Sequence, residues 1–245
     1  MDKSLNKYIS ETGFCSRRAA DKLIEEGRVL INGLVARKGN RVLPDDEVLL
    51  DGRNLSARPD TIYIAFNKPR GVTCTTDLKD KSNIIDFLNF PQRIFPIGRL
   101  DKPSEGLIFL TNDGDIVNKI LRAGNNHEKE YIVTVNNPID DIFLRKMRDG
   151  VAVLDTVTLP CKIQKLGSHK FNIILTQGLN RQIRRMCETL GYQVQTLVRV
   201  RVMNISLQNI PLGKWRYFSE SEVTALHNLL SNSSKTEEAS ATWEE

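Results

Sequence analysis

The stretch Phe95-Pro96-Ile97-Gly98-Arg99-Leu100-Asp101-Lys102-Pro103-Ser104-Glu105-Gly106 and the apolar run Leu107-Ile108-Phe109-Leu110 constrain this chain more than any other segment. The run reads as a buried strand, and Ile94 to Ile97 reads as the strand before it. Between them Gly98 lets the backbone turn without a Cβ clash, while Pro103 and Gly106 fix the loop. Asp101 is therefore presented from a rigid turn between two strands, where chemistry is often placed. On this stretch alone Asp101 reads first as a turn cap or a surface partner of Arg99.

A chain of 245 residues can bury a full core and holds one large domain, or a large one and a small one. No apolar run approaches the ~20 residues that span a bilayer. The start, Met1-Asp2-Lys3-Ser4-Leu5-Asn6, lacks the apolar core of a signal peptide, so a cytoplasmic protein is expected. Cys15, Cys74, Cys161 and Cys187 are scattered, and His127, His169 and His227 do not cluster with them. That pattern speaks against a structural zinc or a disulfide framework. The net charge of +5 is uneven: the last 15 residues set Lys235 against Glu237, Glu238, Glu244 and Glu245, a net of −3, which leaves +8 on the rest. A basic body suits a polyanionic partner.

Taken in order, the first 58 residues read as two helices and a hairpin. Leu5, Tyr8 and Ile9 share one helical face that Gly13 ends. Ser16 caps a second helix with Ala19, Ala20, Leu23 and Ile24 inward, and Asn32-Gly33 is a hairpin turn after Val29-Leu30-Ile31. Residues 51–60 are polar and read as a linker. Beyond it come the strand Ile62 to Phe66, a bend at Pro69 and Gly71, and a short helix over Ile84 to Leu88. A helix with Ile116, Val117, Ile120 and Leu121 inward and Gly124 past its end follows, then a strand over Ile132 to Val135. Pro138 suits the start of a helix over Asp140 to Met147. Strands are expected at 151–154, 161–164, 171–175 and 194–201, with a helix between the last two that Gly191 ends. Phe171, Ile173 and Leu175 face one side. Ser219 and Glu222 form a capping box for a final helix, and residues 231–245 read as a disordered acidic tail. Strands with irregularly interspersed helices imply an α+β fold with a mixed, mainly antiparallel sheet.

Particular motifs are more specific. Leu5-Asn6-Lys7-Tyr8-Ile9, Cys15-Ser16-Arg17-Arg18-Ala19-Ala20-Asp21 and Ile24 to Gly33 resemble the S4-type RNA-binding domain. Asn67-Lys68-Pro69-Arg70-Gly71, Gly98-Arg99-Leu100-Asp101 with Ser104 to Leu107, Lys129-Glu130-Tyr131 and Gly178 to Met186 resemble the motifs of pseudouridine synthases. With the S4-type start, the chain is similar to the RsuA-type branch, and within it to the RluF-like members, over about residues 3–230. The resemblance implies an S4-like domain over residues 1–58 and a catalytic domain over 59–230. It implies that Arg17, Arg18 and Lys22, with Lys7 beside them, grip RNA phosphates, contacts that position rather than specify.

Converting uridine to its C-glycoside breaks the N1–ribose bond, turns the uracil and rejoins it through C5. One carboxylate suffices, attacking the base, attacking the sugar carbon or removing a ribose proton. No redox or hydrolytic step occurs, so no metal, nucleotide or other cofactor is expected. The resemblance makes Asp101 the catalytic nucleophile, Arg184 its cation partner and Tyr131 the ring that stacks on the flipped uracil. A carboxylate in a dry pocket needs such a cation to stay ionised. Lys68, Arg99, Arg181 and Arg185 are expected at the RNA, with Lys68 also supporting the pocket and Arg99 filling the space the flipped base leaves. The expected substrate is large-subunit ribosomal RNA, with a tRNA anticodon uridine as a further target and a monomeric enzyme. The competing readings are a synthase of small-subunit rRNA, a non-catalytic ribosome-assembly protein and a carboxylate-based nucleoside hydrolase.

Overall fold

A computed structural model of the chain describes residues 2–55, 59–122, 125–231 and 233. They divide into two compact units. One is built from the described residues up to Ile62 together with Phe90–Ile94 and Asn112–Gly114; the other from Tyr63–Asn89, Phe95–Thr111 and the described residues from Asp115 on.

In the first unit the elements are β1 (Lys3–Ser4), α1 (Leu5–Glu11), α2 (Arg17–Glu25), β2 (Val29–Ile31), β3 (Leu34–Val35), β4 (Arg41–Val42), β5 (Val48–Leu50) and β6 (Arg53–Asn54). Ser16 caps α2 by accepting the Ala19 N–H. Asn32 and Gly33 both take positive φ, 51° and 79°, the mirror-image turn that matches strand twist. Leu5, Ile9, Ala20, Ile24, Val29, Val42, Val48 and Leu50 form the core.

Residues 51–60 are not simply a linker. Asp51 and Gly52, at φ 48° and 75°, make a second such turn, so β6 pairs with β5 and the sheet runs β3-β2-β5-β6. The dipeptide signal was the same as at Asn32-Gly33, but β6 has no apolar face, because both of its residues are exposed. Residues 56–58 of that stretch, Gly124, and the tail apart from Ser231 and Ser233 lie outside the described residues.

The second unit contains β7 (Tyr63–Lys68), α3 (Ile84–Leu88), β8 (Phe95–Ile97), β9 (Glu105–Thr111), α4 (Gly114–Leu121), β10 (Lys129–Val135), α5 (Asp141–Asp149), β11 (Ala152–Val153), β12 (Thr156–Val157), β13 (Lys162–Gly167), β14 (Lys170–Leu175), α6 (Gln182–Thr189), β15 (Val194–Val202), β16 (Ile205–Ser206), β17 (Trp215–Tyr217) and α7 (Glu220–Leu230). Among the described residues these build a nine-stranded sheet in the order β13-β14-β10-β15-β9-β7-β17, with β16 on β15 and β8 on β9. Its strand pairings are antiparallel except β9 with β15, so the fold is the expected α+β type with a mixed sheet.

Strand alternation sends side chains to two faces. Tyr63, Ala65, Leu107, Phe109 and Val202 go to one, where Ile116, Ile120, Leu226 and Leu230 of α4 and α7 cover them. Val133, Phe171, Ile173, Leu175 and Leu197 go to the other, under Phe143 and Met147 of α5 and Ile183, Met186 and Cys187 of α6. The Ser219–Glu222 capping box forms as expected. Pro138 does not open α5; Asp140 is its N-cap, accepting the Phe143 N–H at 2.7 Å.

Two glycines hold β9 and its loop where they are. Gly98 has φ 74°, and a Cβ there would sit 2.8 Å from Leu121 Cδ2. Gly106 has φ 106°, and a Cβ there would meet the Arg199 carbonyl oxygen at 2.3 Å and its nitrogen at 2.7 Å. Only glycine lets β9 approach β15 this closely.

Candidate active site

Asp101 stands in the loop joining β8 to β9, as the turn signals predicted. Backbone hydrogen bonds fix the loop: Ser104 N–H donates to the Asp101 carbonyl at 2.9 Å, and Gly71 N–H donates to the Lys102 carbonyl at 2.9 Å. The Leu100 N–H donates to Cys74 Sγ at 3.3 Å. The carboxylate borders a pocket of about 90 Å³, lined by Arg99 and Ser104 of the same loop, Tyr131 of β10, Gln177 to Leu179 after β14, Arg181 to Arg184 at the start of α6, and Leu197 of β15. That is far smaller than a drug-sized cleft.

The nearest cation to the carboxylate is Arg184, with Nε 3.6 Å from Asp101 Oδ2; Arg181 Nη1 follows at 4.0 Å. The two arginines differ in setting. The Arg184 side chain is only 10 % exposed, against 42 % for Arg181. Arg184 Nη2 donates to Ser104 Oγ at 3.1 Å and Nη1 to the Val194 carbonyl at 3.3 Å, so its planar fork is held on both sides. Among the described residues its buried Nε has no hydrogen-bond partner, and it lies 3.6 Å from the carboxylate. Burial pushes the guanidinium below its usual pKa, and Asp101 is the strongest influence opposing that. Arg181 caps α6 from a left-handed backbone, φ 50°, a conformation that costs a non-glycine residue about 1 kcal/mol or more.

Asp101, Tyr131, Arg184, Arg99 and Arg181 all line the one pocket. Arg181 turns toward Asp101 rather than standing clear of it as expected. Arg185 donates to the carbonyl and Oδ1 of Asn180, bracing the loop before α6. Lys68 is a correction: expected at the RNA, it is fully buried, because its β7 position faces into the protein. Its ammonium donates to the carbonyls of Pro69 and Val72 at 3.0 and 2.9 Å, so it holds the loop that in turn holds Lys102. Burial lowers its pKa, while Cys74 and Asp101 oppose the shift. The carboxylate of Asp101 is also 34 % exposed, so the dry surroundings expected for it are absent in the free protein. In the first unit Arg17, Arg18 and Lys22 are exposed on α2, whereas Lys7 is half-buried and 3.6 Å from Glu11.

Other contributors were not singled out from the sequence. Gln182 accepts the Leu179 N–H and donates to Gln177, and Gln177 accepts the Leu159 N–H, so a side-chain relay shapes the loop before α6. Ser104 and Gln182 sit inside the motif stretches, which was a signal. Arg199, buried on β15 with Nε 2.6 Å from the Leu107 carbonyl, carried none, since its place depends on sheet order. Lys129, two residues before Tyr131, is buried, and burial lowers its pKa to about 8.

Among the described residues no group of three or more His, Cys, Asp or Glu side chains is arranged to hold a metal ion, and all four cysteines are unbridged. No described helix is long and apolar enough to cross a membrane.

A family described as RNA pseudouridylate synthase matches residues 62–189, and the S4 domain matches residues 4–48. The chain is 56 % identical over 232 residues to the dual-specificity RNA pseudouridine synthase RluF of Escherichia coli (strain K12), covering 94 % of this chain and 80 % of that protein. It is 35 % identical to the ribosomal large subunit pseudouridine synthase B of Bacillus subtilis (strain 168), covering 92 % of this chain and 96 % of the relative. A crystal structure of a pseudouridylate synthase matches at a TM-score of 0.67 and 28 % identity, over 91 % of this chain and 99 % of that one.

Proposed function

Since the chain belongs to the RNA pseudouridine synthase family, in the RsuA-type branch that carries an S4 domain, we propose that it isomerises a uridine of large-subunit ribosomal RNA, with a tRNA anticodon uridine as a second substrate. A second RNA substrate is suggested by the dual specificity in the name of RluF, and the large-subunit one by the name of the Bacillus subtilis relative. The observation that supports the catalytic assignment is the buried Nε of Arg184, without a hydrogen-bond partner among the described residues and 3.6 Å from the Asp101 carboxylate.

On this reading the target nucleotide is flipped into the pocket, because its glycosidic bond must be reached beside the base. Asp101 starts the reaction, by attack at the ribose C1′ or the uracil ring, or by taking a ribose proton. The N1–C1′ bond breaks, the uracil turns while Tyr131 stacks on it, and C5 bonds to C1′. The C5 proton leaves and N1 gains one, so atoms and electrons balance without an external reagent. Arg184 holds the carboxylate in place, and Arg99 occupies the gap in the RNA stack. The flipped base closes the pocket and removes the water that reaches Asp101 in the free protein. Arg17, Arg18 and Lys22 hold the RNA backbone.

The test is to map new pseudouridines after incubating the protein with unmodified ribosomal RNA and tRNA. One or a few sites in the large-subunit RNA are expected. Asp101→Asn removes the charge at constant size, and should abolish product while RNA affinity stays within about threefold. Near-normal turnover by that variant would remove Asp101 from the chemistry.

A further inference from the structure

Gln177 lines the pocket just beyond the end of β14, yet so far it has served only the loop before α6. The polarity of its amide is fixed by its neighbours. A backbone N–H can only donate, so the atom of Gln177 that meets the Leu159 N–H at 3.1 Å is the carbonyl oxygen. Gln182 is fixed in the same way. Its Oε1 accepts the Leu179 N–H at 3.0 Å, which turns its Nε2 to Gln177 Oε1 at 3.2 Å. Gln177 Oε1 therefore accepts two hydrogen bonds, one for each lone pair. Turning either amide over would set a donor against a donor.

The group that Gln177 has left for a ligand is Nε2, with two N–H donors. Among the described residues this nitrogen has no hydrogen-bond partner, and the side chain is half-buried. Neighbouring donors are committed. Gln182 Nε2 belongs to the relay, and the two Nη atoms of Arg184 go to Ser104 and Val194. The pocket thus has on its wall a neutral donor whose orientation is set from behind.

Base chemistry identifies the acceptor that such a donor fits. Uracil carries O2 and O4 on either side of its N3–H, whereas cytosine has an amino group, itself a donor, in place of O4. A donor held against turning over suits O4 and opposes that amino group. A freely turning amide would accommodate both. When the uracil turns about its N3–C6 axis, N1 changes places with C5 and O4 with O2. One donor therefore meets a carbonyl oxygen before and after the turn.

We propose that Gln177 Nε2 donates to O4 of the flipped uracil, and that this contact is how the pocket selects uracil over cytosine. The proposal rests on the reading of the chain as a pseudouridine synthase. A site built to hydrogen-bond one group of its substrate rejects the analogue that lacks it, because its own polar atom is then left unpaired.

The experiment uses the full-length protein and two RNAs of one sequence spanning the uridine mapped as above. One has uridine at that position and the other 4-thiouridine, whose sulfur is a weaker acceptor than oxygen. Single-turnover rates are measured at subsaturating protein. The sulfur should slow the wild-type protein by about fivefold or more, the worth of one neutral hydrogen bond. Gln177→Glu keeps an oxygen for Leu159 and Gln182 and removes the donor. Its added charge slows both RNAs alike, and its rates on the two should agree within about twofold. A role confined to holding the loop would instead leave the wild-type ratio unchanged in the variant. The wild-type comparison needs no substitution, so a poorly folding variant does not spoil the test. Equal wild-type rates on the two RNAs, or the same ratio in Gln177→Glu as in wild type, would overturn the proposal. Wild-type protein that forms no pseudouridine in the uridine RNA would overturn the functional reading, and this inference with it.

Discussion

Replacing Arg184 isolates the interaction on which the catalytic assignment rests. Arg184→Met keeps the length of the side chain and removes its charge and its fork. At the observed 3.6 Å, two unit charges attract by about 1 kcal/mol in water and about 4.6 kcal/mol at an effective dielectric of 20. Asp101 is 34 % exposed and Arg184 10 %, so a value between these, about 2 to 3 kcal/mol, applies. Losing the hydrogen bonds to Ser104 and Val194 adds about 1 kcal/mol. Arg181, at 4.0 Å but far more exposed, returns part of this. A net loss of about 3 kcal/mol is roughly a hundredfold in rate. Arg184→Lys keeps the charge, but a single ammonium cannot serve Ser104, Val194 and the carboxylate together, so it should fall between wild type and Met. Arg181→Met should cost less than about tenfold, as expected for an exposed pair. The assay is single-turnover pseudouridine formation at saturating RNA, with affinity measured separately. Reasoning from the ion pair fails if Arg184→Met loses affinity at an unchanged single-turnover rate, or if Arg181→Met is the more damaging change.

Gly106→Ala combines a φ of 106° with a Cβ 2.3 Å from the Arg199 carbonyl, so it should destabilise the fold by about 3 to 5 kcal/mol in denaturant unfolding; a loss below about 1 kcal/mol would mean that β9 and β15 can separate freely. Lys129 has its pKa lowered from 10.5 to about 8 by burial, so the unfolded chain binds the extra proton between those values and stability rises with pH across that window. The contribution is about 3 kcal/mol, and Lys129→Met should remove that part of the rise; identical pH slopes for the two proteins would refute it. Arg17→Ala with Arg18→Ala should weaken RNA binding and reduce the slope of log affinity against log salt by about 2, whereas an unchanged slope would free α2 from the RNA backbone.

Features with local causes were legible in the sequence. Ser16 and the Ser219–Glu222 box cap their helices because the groups that satisfy the first turn are near neighbours in the chain. Asn32-Gly33 makes its turn for the same reason, and so does Asp51-Gly52, although the strand residues that follow it, Arg53 and Asn54, are polar and exposed. The loop presenting Asp101 was equally local, bounded by Gly98 and an apolar strand, and Asp101, Tyr131 and Arg184 were named from the motif stretches that the structure brings to one pocket.

What only tertiary structure decided was which segments became neighbours. That β15 runs parallel to β9, ninety residues away in sequence, is a matter of sheet order, and it alone brings Leu197 and Arg199 beside the Asp101 loop. Lys68 and Lys129 stand in motif stretches, yet nothing in those stretches says that the sheet buries their ammonium groups, because a lysine's identity does not fix which face of a strand it occupies. Arg181 and Arg184 sit three residues apart in one basic run; the pitch of α6 and the left-handed cap at Arg181 determine that one is sequestered against Ser104 while the other stays in water. Short-range chemistry thus wrote the turns and caps of this protein. The burial of its cations and the distances around its carboxylate arose from contacts between residues far apart in the chain, which no local pattern encodes.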